Sequence, residues 1–386
     1  MRSIRGRHVV LVCALAALTE SLVNATIAPM LPSIARQFGL SHTLGGVLVA
    51  AFAVGFAVGT YPALQLSSKV GPRTTTVIGT ACVAAGTLCF AVGGPDGLLF
   101  AGRGLVGFGS VAIYTGSIAL AMAGVGDEHR GATIGTIYGG SYAGAAIGPL
   151  IGTTATVFGR IPVFGLLVSG PLAVTALLLR LPTVAGAPAV NLAAIRRHLR
   201  SGRVRLGLWI TSLPAFGGGV IVVSGAFRLD EAGASALMIG LAFCGMALIT
   251  AILEPVLGRM SDKWGRRRPL LVLMLLAATT MSMLIPIHQR VILVVLIAVA
   301  GSLFSLVDGP GFALVGDGVE SLGGDDRETA FLVNLSWGPF AAFGAILAGV
   351  CHDAVGADLS FAVLAAVAVV SVGVVYRQMR ALKAGS

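Results

Sequence analysis

Glu20, Arg103 and Asp308 are ionisable side chains well inside apolar runs of the chain. Glu20 lies in Thr19-Glu20-Ser21-Leu22-Val23-Asn24, near the middle of the run 9–31. Arg103 begins Arg103-Gly104-Leu105-Val106-Gly107-Phe108-Gly109 in the run 98–124, and Asp308 sits in Leu306-Val307-Asp308-Gly309-Pro310-Gly311 within 291–315. A charge in hydrocarbon is costly, so by default it marks a functional site with a partner nearby. A carboxyl beside a guanidinium can exchange a proton or attract a cation, because desolvation and positive charge pull its ionisation in opposite directions. The structural alternatives are Arg103 snorkelling to the membrane interface and Glu20 pinned to Arg103 or Asn24. For Asp308, the interrupted helix fits gating or capping as well as substrate contact. Glu254, one residue before Pro255, reads as part of the charge cluster that follows it.

The elements holding these groups must cross a membrane. Hydrophobic residues make up 56% of the 386 residues and charged residues 11%, against about 25% charged in an ordinary soluble domain. Runs of about 20 apolar residues, the length of a spanning helix, recur from end to end. The 54 glycines suit helices packed closely in lipid. Twelve spans are expected, at 9–31, 43–66, 74–93, 98–124, 132–156, 162–180, 206–227, 235–257, 269–287, 291–315, 329–350 and 360–376. The first is read as an uncleaved helix, because no small-x-small cleavage site follows its apolar core.

The net charge of +10 is topological. With the N-terminus inside, Arg2, Arg5, Arg7, Lys69, Arg73, Arg130, Arg196, Arg197 and the cluster from Arg259 to Arg268 fall on inner segments. Only Arg36, Arg160, Arg228 and Arg290 fall outside, so both termini are expected in the cytoplasm. Nucleic-acid binding is not expected. Five cysteines at no ligand spacing indicate neither a disulfide nor a metal site. The expected organisation is an N-terminal six-helix bundle at 1–180, a basic cytoplasmic linker at 181–205 and a C-terminal bundle at 206–386. Within the linker, a helical Arg-rich segment at 195–200 is expected to lie on anionic lipid; a regulatory site is the alternative.

Gly258-Arg259-Met260-Ser261-Asp262-Lys263-Trp264-Gly265-Arg266-Arg267-Arg268 follows the eighth span, and 64–73 is its worn counterpart after the second. Gly265 and Gly71 lie about half a chain length apart, which indicates two related halves repeated in parallel. The longer copy resembles motif A of the major facilitator superfamily, with Gly258, Asp262, Lys263, Gly265, Arg266 and Arg267 retained. The shorter copy has Ser68 where the acid and Leu64 where the first glycine is expected. The stretch from Arg103 to Gly109 resembles motif B of proton-coupled members. Gly144-Ala145-Ala146-Ile147-Gly148-Pro149-Leu150-Ile151-Gly152 resembles motif C of the drug:proton antiporters, with Thr153 replacing a final glycine. A partial echo, Trp337-Gly338-Pro339, lies in the eleventh span.

The resemblance covers the whole chain and implies an all-α polytopic membrane protein, twelve transmembrane helices in two pseudo-symmetric six-helix bundles. It implies that the first, fourth, seventh and tenth helices line a cavity, so that Glu20, Asn24, Arg103 and Asp308 would serve substrate and proton coupling. Asp262 would sit at the positive end of the fifth helix and Arg266 would reach Asp317, forming a conformational latch. Gly144, Gly148, Pro149 and Gly152 would bend and seal the fifth helix. Tyr114, Tyr138, Tyr142, Trp337, Phe340 and Phe343 are the aromatic side chains that could meet substrate, though such residues more often serve helix packing than ligand contact, and none is assigned to the site.

The implied activity is proton-coupled efflux of small lipophilic or cationic compounds from a bacterial inner membrane, by a monomer whose partners are substrate and lipid. The proton gradient would be the driving force, with no cofactor. The rival is an exporter of one endogenous metabolite, sugar or lipid; an uptake symporter and a non-transporting sensor are further readings. An enzyme is not expected, for the sequence has no ATP-binding glycine loop, metal cluster or nucleophile–base set.

Overall fold

The computed structural model describes the backbone of residues 2–95, 97–123, 125, 129–186, 190–265 and 267–384, without the side chains of 2–5, 262 and 380–384. The described residues form helices and no strand. In lipid the backbone must satisfy its own hydrogen bonds, and long Ala-, Leu- and Val-rich segments do so as helix.

The chain divides into two compact units, Met1–Ile34 with Ala51–Ala189 and Ala35–Ala50 with Val190–Ser386. Helices α1 (Arg2–Ala25), α4 (Pro72–Val92), α5 (Leu98–Met122), α6 (Arg130–Phe158), α7 (Arg160–Leu167) and α8 (Ser169–Leu179) belong to the first unit. Helices α2 (Ile27–Phe38) and α3 (His42–Val70) cross the division. The second unit holds α9 (Leu192–His198), α10 (Gly202–Glu231), α11 (Ala236–Trp264), α12 (Arg267–Met283), α13 (Arg290–Ser305), α14 (Asp308–Glu320), α15 (Asp326–Val355) and α16 (Ala357–Ala384).

Three expected spans are each broken into two helices, at Thr26, at Val168 and at 306–307. Among the described residues, ten helical spans are long and apolar enough to cross a membrane. The other two expected spans fall short for local reasons: α6 is diluted with glycine, threonine and serine, and α12 has 17 described residues. Outward-facing apolar side chains such as Leu166, Ile252 and Val157 show that much of the surface is built for hydrocarbon.

Pseudo-symmetry is written into the turns. Gly71, between α3 and α4, has φ 84 and ψ 159; Gly265, between α11 and α12, has φ 76 and ψ 151. Both dihedral pairs lie where a side chain is strained, so the repeated glycine is a backbone requirement.

In the first unit α1 packs along α6 and α4 along α5. The α1–α6 seam is a glycine ladder. A Cβ placed on Gly140, Gly144, Gly148 or Gly152 would strike the carbonyl oxygen of Ala14, Leu18, Leu22 or Thr26 respectively. One rung recurs every four residues, so the two backbones meet with no side chain between them. On α5, Gly102, Gly109 and Gly116 seat against α4, while Gly107 seats against Phe52 of α3. Arg103 is thus carried on a helix held tightly on two sides.

The segment after α8 returns along the first unit. Arg73 donates to the main-chain oxygen of Leu181 at 2.7 Å, and Gly186 fits against the carbonyls of Ser67 and Ser68. In the second unit α9 begins on the Asn191 cap, with Ile195 and His198 buried and Arg196 and Arg200 exposed. His198 Nε2 lies 2.8 Å from Glu328 at the start of α15.

Candidate functional site

The close α1–α6 seam brings one polar cluster into the interior of the first unit. Glu20 is 2% exposed and Arg103 3%. Ser21 Oγ donates to Glu20 Oε2 at 2.9 Å. Ser21 Oγ also lies 2.7 Å from Ser141 Oγ of α6 and 3.1 Å from the Tyr114 hydroxyl of α5. Tyr114 and Ser141 are 2.6 Å apart, which closes a three-hydroxyl ring. The hydroxyls of Ser110 and Tyr114 also face the Glu20 carboxylate.

Arg103 is near enough for its charge to act on Glu20, but its hydrogen bonds go to Asn24. One terminal nitrogen donates to Asn24 Oδ1 at 2.9 Å and the other reaches Asn24 O at 3.4 Å. Its carbon Cζ stands 5.2 Å from the centre of the Phe52 ring, a cation–π contact. Arg103 Nε has no partner among the described residues. The acid and base therefore neutralise one another through the field while each is fixed by neutral groups. This spares the carboxylate from a locking bidentate pair. Hydroxyls can donate to it when charged and accept from it when protonated, so either state finds partners.

Glu20, Asn24 and Arg103 are thus brought together, as the sequence suggested. Ser21, Ser110 and Ser141 were not singled out, and Tyr114 was named only as an aromatic. Their signal was present in the spacing: Arg103, Ser110 and Tyr114 lie two and three turns along one face of α5. Ser141 follows the Gly140 rung that sets α6 on α1. Of the helix 5 motif, Gly144, Gly148 and Gly152 form rungs, and Pro149 is buried inside α6.

Asp308 lies in the second unit. Gly309-Pro310-Gly311 was expected to interrupt the helix, but the break falls at 306–307 and the three residues form the first turn of α14. Proline is tolerated there because the first-turn N–H groups lack intrahelical acceptors. Asp308 Oδ1 has no hydrogen-bond partner among the described residues, and the charge of Glu254 on α11 acts on it. Glu254 therefore faces Asp308 as well as preceding the basic turn. Asp317 is half-buried on α14. The Asp262 side chain and all of Arg266 lie outside the described residues. Gly258, Lys263 and Gly265 are on or after α11, and Arg267 stacks on Tyr376 of α16 at 4.4 Å. Of the aromatics, Tyr114 stacks on Tyr138 with centroids 5.9 Å apart, and Phe343 on Phe216 at 5.8 Å.

Known structures share the fold at low identity. A bacterial homologue of the human lysosomal transporter Spinster, solved in an inward-facing and unoccupied conformation, superposes with TM-score 0.75 at 13% identity. That match covers 98% of this chain and 97% of the other. A POT family transporter in complex with a thioalcohol-conjugated peptide gives 0.77 at 15% identity, covering 95% of each chain. A POT family transporter in complex with 5-aminolevulinic acid gives 0.76 at 14%, again covering 95% of each. No curated protein matches the chain. The model of the Major Facilitator Superfamily matches residues 13–228 and 208–384, so this integral membrane protein, with its doubled helical bundle and buried charges, belongs to that family of transporters.

Proposed function

We propose that this chain is a secondary active transporter that exports small lipophilic or cationic compounds in exchange for protons, by alternating access. The observation that carries the reading is the Glu20 carboxylate, buried and surrounded by reorientable hydroxyls, with Arg103 close but bonded to Asn24. A carboxylate so placed can trade a proton for a cationic or polar substrate group without leaving either state unsolvated. The ring of Ser21, Tyr114 and Ser141 supplies the compensating hydrogen bonds.

The glycine ladder supports the antiporter subtype, since the motif C glycines are the rungs that place Ser141 beside Ser21. The working protein is a monomer in the bacterial inner membrane, both termini cytoplasmic, using the proton gradient with no cofactor. Asp308 and Glu254 serve a gating role in the second unit, and Asp262 the conformational latch.

The test is flux of candidate lipophilic cations in proteoliposomes, with and without a pH gradient. Wild-type flux should rise with the gradient and Glu20→Gln should abolish the gradient-driven part, while Asp262→Asn keeps the coupling. Equal, pH-independent transport by the Glu20→Gln protein would sink the proton assignment. Gradient-driven flux confined to one neutral sugar or lipid would replace the substrate class by the metabolite reading.

A further inference from the structure

At the end of the second unit where α10 finishes, two histidines and two acids meet. His42 opens α3, Glu231 closes α10, and His352 and Asp353 lie in the last turn of α15. We propose that His42, Glu231 and His352 form a zinc site, with Asp353 as the group that orients His42. This goes beyond the transport reading and does not depend on it.

One ligand atom from each of His42, Glu231 and His352 lies within 4.8 Å of the others. The His42 ring is pre-set by Asp353. Asp353 Oδ1 lies 2.7 Å from His42 Nδ1 and accepts the His42 backbone N–H at 3.1 Å, while Oδ2 accepts the Thr43 N–H at 2.8 Å. A carboxylate only accepts, so Nδ1 carries a proton toward Asp353 and Nε2 is the nitrogen that can face a metal ion. A carboxylate behind a histidine is the usual support of a metal-bound imidazole.

His352 is 6% exposed, with Nε2 2.6 Å from Glu231 Oε1 and Nδ1 without a partner among the described residues. The ion takes the position of the proton between Nε2 and Glu231, and the N–H passes to Nδ1. The two imidazoles stack at 4.0 Å with Phe227 edge-on to His42 at 4.6 Å, an apolar wall on one side.

Zinc bonds of about 2.0–2.1 Å place ligand atoms about 3.4 Å apart. The rings must tilt from their stack so that both lone pairs converge, and the Glu231 side chain, 47% exposed, can follow. The His42 side chain, 36% exposed, gives the ion its entry. Two imidazoles and one carboxylate suit zinc over magnesium or calcium and leave a fourth position for water.

The test is calorimetric titration of the full-length protein in detergent, tag removed and metal stripped, with zinc chloride alone. One ion per chain should bind, and His352→Ala and His42→Ala should each weaken it at least 100-fold. Asp353→Asn, which removes no ligand, should weaken it by about 10–100-fold. Glu231→Gln, which leaves the α3 cap intact, should cost at least tenfold while the protein elutes as wild type. X-ray absorption should find two imidazole nitrogens at about 2.0 Å. Wild-type affinity within threefold of the His42→Ala/His352→Ala protein would overturn the site, as would magnesium competing equally or an unaffected Glu231→Gln. Zinc binding is read whatever the protein carries, so a failed transport assay leaves this result standing.

Discussion

In the first unit the chain leaves α3 through Gly71 and enters α4 with Arg73; in the second it leaves α11 through Gly265 and enters α12 with Arg267. The glycines share a conformation and the arginines share a register, yet the anchors differ. Arg73 donates to the carbonyl of Leu181 just beyond α8, at 2.7 Å. Arg267 sets its guanidinium carbon over the Tyr376 ring of α16, 4.4 Å from its centre. A repeated turn fixes where the cation emerges, and the bundle around it decides what the cation does.

The interiors differ in the same sense. The first unit buries an acid and a base together and dresses both with neutral groups. The second unit sets Asp308 near another acid, Glu254, and leaves one oxygen of Asp308 without a partner among the described residues. The first interior brings an acid and a base into one polar site, and the second brings two acids near one another beside a helix break.

Arg103→Ala tests that pairing most severely. It leaves the Glu20 charge buried without its cation and should cost about 3–5 kcal/mol, read as a collapse of thermal stability in detergent. Arg103→Ala/Glu20→Gln should recover much of the loss; no recovery would mean that Asn24 and Phe52, not Glu20, are what Arg103 serves.

Next in size is Gly148→Val on the ladder, expected to cost about 1–3 kcal/mol or more because backbone obstructs the new atoms. Gly139→Val, in open space on the same helix, should be tolerated. Equal melting temperatures for the two would show that the seam is not tight.

The two turns separate on a smaller scale. Arg73→Ala gives up charged hydrogen bonds worth about 1.5–3 kcal/mol, while Arg267→Ala gives up a ring contact worth about 0.5–2 kcal/mol. A larger loss for Arg267→Ala would reverse the ranking of the two anchors.

The smallest effect is at Asp325, the cap of α15 in the second unit. Burial pushes its carboxyl upward, but hydrogen bonds from the Arg327 side chain and the N–H groups of Glu328 and Arg327 outweigh it, holding it below the ordinary range. A group depressed on folding stabilises above its unfolded pKa, about 3.9, and loses that contribution as pH falls through the folded value. Asp325→Asn should therefore cost about 1 kcal/mol or less at neutral pH. Its melting curve should converge on wild type under strong acid; a constant gap down to that range would rule out the charge.

Much of this was legible in the sequence because membrane helices announce themselves by length and apolarity. The half-length repeat of a glycine turn survives even where Ser68 replaces the acid. Glu20, Asn24 and Arg103 were legible because charge in an apolar run has few innocent explanations. Ser21, Ser110 and Ser141 were not, since a serine in a helix usually bonds to its own preceding turn, as Ser302 does with Ala298. Only the register of α6 on α1 makes Ser141 different. The break at 306–307 was displaced from the Gly-Pro-Gly run because a proline at a helix start is harmless. The His42 cluster was invisible because its members are separated by long stretches of chain and meet only after folding.

The glycine ladder also has a mechanical consequence. Two helices joined rung to rung, carbonyl against bare Cα, bend and tilt as one two-ply beam rather than as independent rods. Shear between them would have to lift a whole row of contacts at once. The Ser21–Ser141 contact, carried on the two plies of that beam, is therefore less exposed than a contact between separate helices to the small tilts that bilayer thickness imposes.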